Sequence, residues 1–286
     1  MLVALVAAVF VLIWSTGWIV AKYVVPIADP LTFLAIRFGT AMLVLALMAA
    51  IMRAPWPKTR AEWVHSMVAG IFIHAIYLAA VWWVIARGLP AGISALIAAT
   101  QPLITAALAP RLLGEKLRPI NLAGIFVGFV GVLGVLAPKL EGAAFAGMGF
   151  LALVNFGGMI SVTLGTFYQK KFVPTGDLRT GTAIQYFAAF LVILPLAWLT
   201  EPMRFEPVAE SWYALAWSVL VLSIGAIMLM LWMIRRGAVS KLASLIYLVP
   251  PVAALQAYAM FGERLTLFQM AFMSLAAMGV YLANRK

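Results

Sequence analysis

Long apolar runs follow one another along the whole chain, separated only by short polar connections. Runs of about 20 residues with few or no charges, the length at which a helix crosses a hydrocarbon core, occupy 2–21, 31–52, 64–86, 88–110, 119–138, 146–169, 180–200, 211–234, 242–261 and 265–284. Ten transmembrane helices are predicted, and the fold class is an all-α membrane protein. The connections leave no room for a soluble domain, a linker or a low-complexity segment. The first run lacks a basic leader, so it reads as a span and not as a cleaved signal.

The pattern also repeats. "LLGEKL" at 112–117 returns as "MFGERL" at 260–265, 148 positions later. The same offset, without a gap, lays "KYVVPIADPLTFLAIRF" at 22–38 over "KKFVPTGDLRTGTAIQY" at 170–186. It pairs Glu62 with Glu210, Arg87 with Arg235 and Pro102 with Pro250. Two halves are expected, 1–138 and 139–286, each with five spans and together one transport domain. An odd number of spans forces the second half to enter the membrane from the opposite side, which makes the repeats inverted.

Composition fits this reading, with 65% hydrophobic and only 10% charged residues. The net charge of +11 would suggest nucleic acid in a soluble protein, but here it sorts by loop. With the N-terminus inside, fourteen Lys and Arg fall on the cytoplasmic side and five outside, while Arg37 lies within a span. The basic excess is thus an orientation signal. It places both termini in the cytoplasm and argues against nucleic-acid binding. Equivalent loops change sign with side: Arg53, Lys58 and Arg60 are answered by Glu201, Glu206 and Glu210.

Inverted repeats serve alternating access, so a transporter is the leading expectation. An intramembrane enzyme would need parts that are missing. All nine carboxylates fall in loops or at span ends, and His65 and His74, the two histidines, have no partner acid. Neither a metal site nor a catalytic triad follows. There is no phosphate-binding loop and no cysteine, so no cofactor is expected. A channel or scaffold would not require the repeat.

An apolar span with a central proline that ends in Gly-Glu-Lys/Arg-Leu occurs twice, as "ALIAATQPLITAALAPRLLGEKL" and "SLIYLVPPVAALQAYAMFGERL". With "WSTGWIVAKYV" in the first span and "AIRF" in the second, this resembles the EamA-type members of the drug/metabolite transporter superfamily over the whole chain. The resemblance implies ten helices in two inverted repeats and export of small metabolites across the bacterial inner membrane. Within that group the chain is most similar to YddG-type exporters of aromatic and other neutral amino acids. The small multidrug exporters that share this fold use a membrane glutamate in the first span, which this chain lacks. With no buried acid, gradient-driven movement is expected, and His74 is the one group placed to couple a proton.

Gly114 and Gly262 suit the left-handed residue that ends a helix, so Gly114-Glu115 and Gly262-Glu263 read as structural hairpin corners. Solute ligands are sought among polar groups inside spans, which tend to face a cavity. These are His74 and Tyr77, Ser94, Thr100 and Gln101, Trp14 and Trp18, Asn155, and Ser244 and Tyr247. Ser15, Ser161 and Ser223 are expected to bond back to their own helices, and Arg37 to snorkel to the outer surface. Pro102, Pro250 and Pro251 are expected to kink their spans, exposing carbonyls such as those of Ala98 and Ile246. Polar groups concentrate in the first half, so a solute with one polar and one apolar end is expected, an amino acid fitting better than an amphipathic cation or a sugar phosphate. The absence of a central cation is the argument against the amino acid. Gly124, Gly128 and Gly131 form a small-residue face read as internal packing in a monomer, with a homodimer as the alternative.

Overall fold

Apolar runs opened by a proline or a capping side chain become helices throughout the computed structural model, which describes residues 2–113, 118–137, 145–173, 176–226, 229 and 248–283. In chain order these are α1 Leu2–Val24, α2 Pro30–Ile51, α3 Arg60–Gly70, α4 Tyr77–Ala86, α5 Ala91–Ala98, α6 Gln101–Leu113, α7 Pro119–Leu136, α8 Phe145–Phe172, α9 Leu178–Thr200, α10 Ala209–Ala216, α11 Val249–Phe261 and α12 Leu267–Ala283. Two π-helical segments, Ile71–Ile76 and Trp217–Gly225, continue α3 and α10. Among the described residues, five helical stretches are long and apolar enough to cross a membrane, and four shorter apolar helices accompany them. Gly114, Glu115, Ser244, Ile246 and Tyr247 lie outside the described residues.

Several helix starts are local chemistry. Pro30 and Pro119 sit in first turns, where a missing N–H costs nothing. Thr59 and Glu62 form a capping box on α3, and Asp177 accepts from the Arg179 N–H at the start of α9. The Arg179 guanidinium, 2.6 Å away, holds the Asp177 carboxyl below the usual carboxylate range.

Contacts divide the chain into two units, each drawing on both halves of the sequence: Met1–Ile19, Arg87–Ile160 and Ala226–Lys286 in one, Val20–Ala86 and Ser161–Gly225 in the other. In the first unit α7 and α12 pack backbone to backbone. A Cβ on Gly279 would lie 2.1 Å from the Gly128 nitrogen, and one on Gly124 2.2 Å from that of Ala283. The small-residue face is therefore filled from within the chain. Side-chain amides clamp this pair at both ends: Asn121 donates to the Ala283 carbonyl at 3.1 Å, and Gln269 to that of Val135 at 3.1 Å.

Gly262 closes α11 in the left-handed conformation, φ 67°. That turn directs the Glu263 carboxylate to the N-terminus of α5, where it accepts from the Ala91 and Gly92 N–H groups at 3.1 and 3.2 Å. These donors have no intrahelical partner, and the helix dipole adds to the attraction. Glu263→Ala is expected to lower unfolding stability by about 1–2 kcal/mol with transport per folded molecule unchanged. Thermal unfolding beside a transport assay checks this, and lost transport at full stability would instead indicate a gate.

In the second unit α2 packs along α9, with Phe33 stacked on Trp82 of α4. The Glu201 carboxylate caps α2 through the Leu31 and Thr32 N–H groups at 3.0 and 2.8 Å. The Asp29 N–H donates to the Arg204 carbonyl and the Arg204 N–H to the Asp29 carboxylate, next to a single bridge between Ala28 and Phe205.

Candidate functional site

The two π-helical segments are the irregular feature that the apolar pattern did not announce. Such segments are rare and occur often at functional sites. The second contains 219–224, which are the positions 148 residues beyond the first. Neighbouring helices hold the first one: Ser161 on α8 donates to the Phe72 carbonyl at 2.9 Å. Where α3 runs into the π segment, a Cβ on Gly70 would stand 2.5 Å from the Gln185 carbonyl oxygen and Cα. That close approach brings α9 within reach of His74.

Around these segments the second unit collects a polar and aromatic cluster. His74 Nε2 lies 3.2 Å from Gln185 Oε1, and its ring stacks at a tilt on Tyr186, centroids 4.5 Å apart. Tyr186 in turn stacks on Phe38 at 5.7 Å. Arg37, one residue before Phe38, donates from Nη2 to the Ser223 hydroxyl at 3.3 Å. The Tyr77 and Tyr186 hydroxyls are further polar neighbours of Arg37, as is the His74 ring. Gln185, Tyr186 and Ser223 are buried, and His74 and Tyr77 are half-buried.

Three expectations are corrected here. Arg37 does not snorkel, because it is 6% exposed. The face of α2 that carries it also buries Leu34, Phe38 and Ala41, so it meets protein and not lipid. Ser223 and Ser161 do not bond back along their own helices; they bond across to Arg37 and to Phe72. Only Ser15 behaves as expected, donating to the Val11 carbonyl at 2.6 Å. Arg37 was legible in one respect, since the 148-residue offset sets it opposite Gln185.

The remaining candidates among the described residues belong to the first unit, which builds its own polar contact. Asn155 on α8 donates from Nδ2 to Ser94 Oγ at 2.9 Å and to the Ser94 carbonyl at 3.3 Å. Its Oδ1 is buried without a partner, as is the Trp18 indole N–H. Trp14 stacks on Phe10 at 5.3 Å. The fourth predicted span breaks at Ala99–Thr100, where Thr100 Oγ1 bonds to the Ile97 carbonyl at 2.6 Å. Ala98 ends α5, and Gln101 and Pro102 begin α6, so the break precedes the proline instead of bending a continuous helix. Pro250 and Pro251 occupy the first turn of α11. Among the described residues no group of three His, Asp or Glu could hold a metal ion.

The sequence profile of the EamA-like transporter family matches residues 1–137 and again 148–285. An uncharacterized transporter, YvbV of Bacillus subtilis, is 26% identical over 99% of this chain and 92% of its own length. A probable amino-acid metabolite efflux pump of Salmonella typhimurium is 26% identical over 96% of this chain and 92% of its own. The aromatic amino acid exporter YddG of Ancylobacter novellus is 29% identical over 72% of this chain and 68% of its own. A solved crystal structure, described only as that of a protein, aligns with TM-score 0.67 at 19% identity, covering 99% of this chain and 97% of the other. At that identity it speaks for the fold alone.

Proposed function

Because this chain belongs to the EamA-like transporter family, with its profile matched over both halves, we propose that it exports aromatic and other neutral amino acids across the bacterial inner membrane. It does so by alternating access between two inverted five-helix repeats, with both termini in the cytoplasm. The observation that carries this reading is the cluster of half-buried His74 with buried Gln185, Tyr186, Arg37 and Ser223 at two π-helical segments. It offers hydrogen-bond donors and acceptors beside aromatic rings, which suits a small solute with a polar head and an apolar side chain.

The repeat is supported by the 148-residue interval between the π segments and by the doubled profile match. Pairings at helix ends support the alternation of spans. Asp29 with Arg204, Glu263 with Ala91, and Gln269 with Val135 each join connections or helix ends that the charge pattern assigns to the outer side. Asn121 with Ala283 and Thr180 with the Pro55 carbonyl join helix ends and a connection that it assigns to the inner side. The names of two relatives, an amino-acid metabolite efflux pump and an aromatic amino acid exporter, support the cargo class.

The competing cargo, an amphipathic quaternary ammonium ion, is disfavoured by the buried Arg37 guanidinium, which would repel it at short range in a low dielectric. Transport is gradient-driven on this reading, since the described carboxylates sit in loops or at helix ends. Proteoliposomes preloaded with unlabelled phenylalanine test the proposal. Labelled phenylalanine is expected to accumulate by saturable counterflow, and movement of a quaternary ammonium dye alone would transfer the site to the cation reading.

A further inference from the structure

The guanidinium of Arg37 stays charged in any protein environment, and seven residues beyond Pro30 it lies about 10 Å along α2 at 1.5 Å per residue. A buried cation in a membrane span is costly unless paired. Here the partners are neutral. Nη2 reaches Ser223 Oγ at a long 3.3 Å, the Tyr77 and Tyr186 hydroxyls lie nearby, and Nε has no hydrogen-bond partner. The carboxylates at the ends of these helices are engaged elsewhere: Asp29 with Arg204, Glu201 on the first turn of α2, Asp177 with Arg179. Among the described residues none pairs with Arg37.

We infer that Arg37 is the anchor for the carboxylate of the transported solute. The planar fork of an arginine matches a carboxylate with two parallel hydrogen bonds, and Nε with one Nη is the edge that such a pair uses. Nε is the vacant atom here, and the Ser223 bond is a long one that a carboxylate oxygen can displace or share. The Tyr186 ring, stacked on His74, supplies an aromatic face in the same cluster for the side chain of an α-amino acid. This deepens the amino-acid reading and rests on it. It also supplies the central cation whose absence from the sequence pattern spoke against that cargo.

The test separates the carboxylate from the rest of the solute. Purified full-length protein is heated with L-phenylalanine, with 3-phenylpropanoate, which lacks the ammonium, and with 2-phenylethylamine, which lacks the carboxylate. Wild type is expected to be stabilised by the first two and not by the third. In Arg37→Gln both shifts should vanish, and half-saturation for phenylalanine counterflow should rise at least ~10-fold, the scale of a charge-assisted hydrogen bond. Arg37→Lys keeps the charge but loses the fork, and a rise of about 3-fold or more is expected; this variant carries the test if the glutamine form does not fold.

A variant that binds both carboxylates as wild type does, or that loses only maximal rate at unchanged half-saturation, would overturn the anchor. Phenylalanine transport indifferent to Arg37 would sink the anchor and leave the amino-acid exporter standing. Arg37-dependent binding of 3-phenylpropanoate, in a protein that moves no amino acid, would do the reverse.

Discussion

Gly279→Leu is expected to yield no monodisperse folded protein after detergent extraction. Membrane helices gain nothing from hiding apolar surface in lipid that is itself apolar, so their association relies on close packing between small residues. The α7–α12 pair is packed to the limit. A Cβ on Gly279 would stand 2.1 Å from the Gly128 nitrogen and 2.3 Å from its Cα, and one on Gly131 2.4 Å from the Ala276 nitrogen. Overpacking typically costs about 1–3 kcal/mol when side chains can shift. Here the obstacles are backbone atoms, and the helices would have to separate, breaking the Asn121 and Gln269 clamps at either end. Gly147→Leu is the control, since nothing lies within 4 Å of its Cβ position. Size-exclusion profiles and thermal unfolding of the two variants decide the matter; a monodisperse Gly279→Leu protein with wild-type unfolding temperature would refute the packing argument. Because this face is filled by α12 and by Leu103 of α6, dimerisation through Gly124, Gly128 and Gly131 would require unpacking the protomer.

The second large effect concerns His74 and Gln185. Truncating either, as His74→Ala or Gln185→Leu, removes the other's partner, at a cost of about 1–3 kcal/mol where the atom left unpaired is buried, or roughly 5- to 150-fold in an equilibrium. Phenylalanine counterflow is expected to fall at least ~10-fold in both, on the same energy scale. A double variant, His74→Leu with Gln185→Leu, distinguishes function from scaffolding. Replacing both partners by apolar groups removes the unsatisfied atom, so thermal stability should recover while counterflow does not. Recovery of counterflow together with stability would show that the pair serves the fold alone. The same preparations address energy coupling: transport that accelerates under an imposed pH gradient, and loses that response in His74→Gln, would contradict gradient-driven movement.

The spans themselves were readable because they are set by local quantities. The predicted run 31–52 is the helix Pro30–Ile51, and 180–200 is Leu178–Thr200. In both, the length of the apolar run and the Pro or Asp at its head are enough. Gly262 was readable for the same reason, since a left-handed residue at the end of α11 suits glycine above all others. The uneven sharing of Lys and Arg between alternate loops and the return of similar stretches at a 148-residue offset are likewise properties of order along the chain.

Which face of a helix meets protein and which meets lipid is not such a property. In a helix apolar on all sides, periodicity carries no direction, and Arg37 near the end of an apolar run reads as a surface-seeking cation. Only the packing of α2 against α9 and the second π segment turns it inward. The π segments depend on contacts far apart in sequence, Gly70 against Gln185 and Ser161 on the Phe72 carbonyl. The partnership of α7 with α12 joins residues more than 100 positions apart. Hydropathy, charge and repeat determined that this chain crosses the membrane many times. Tertiary packing decided which polar groups meet within it, because at membrane depth a polar side chain takes its partner from whichever helix lies against it.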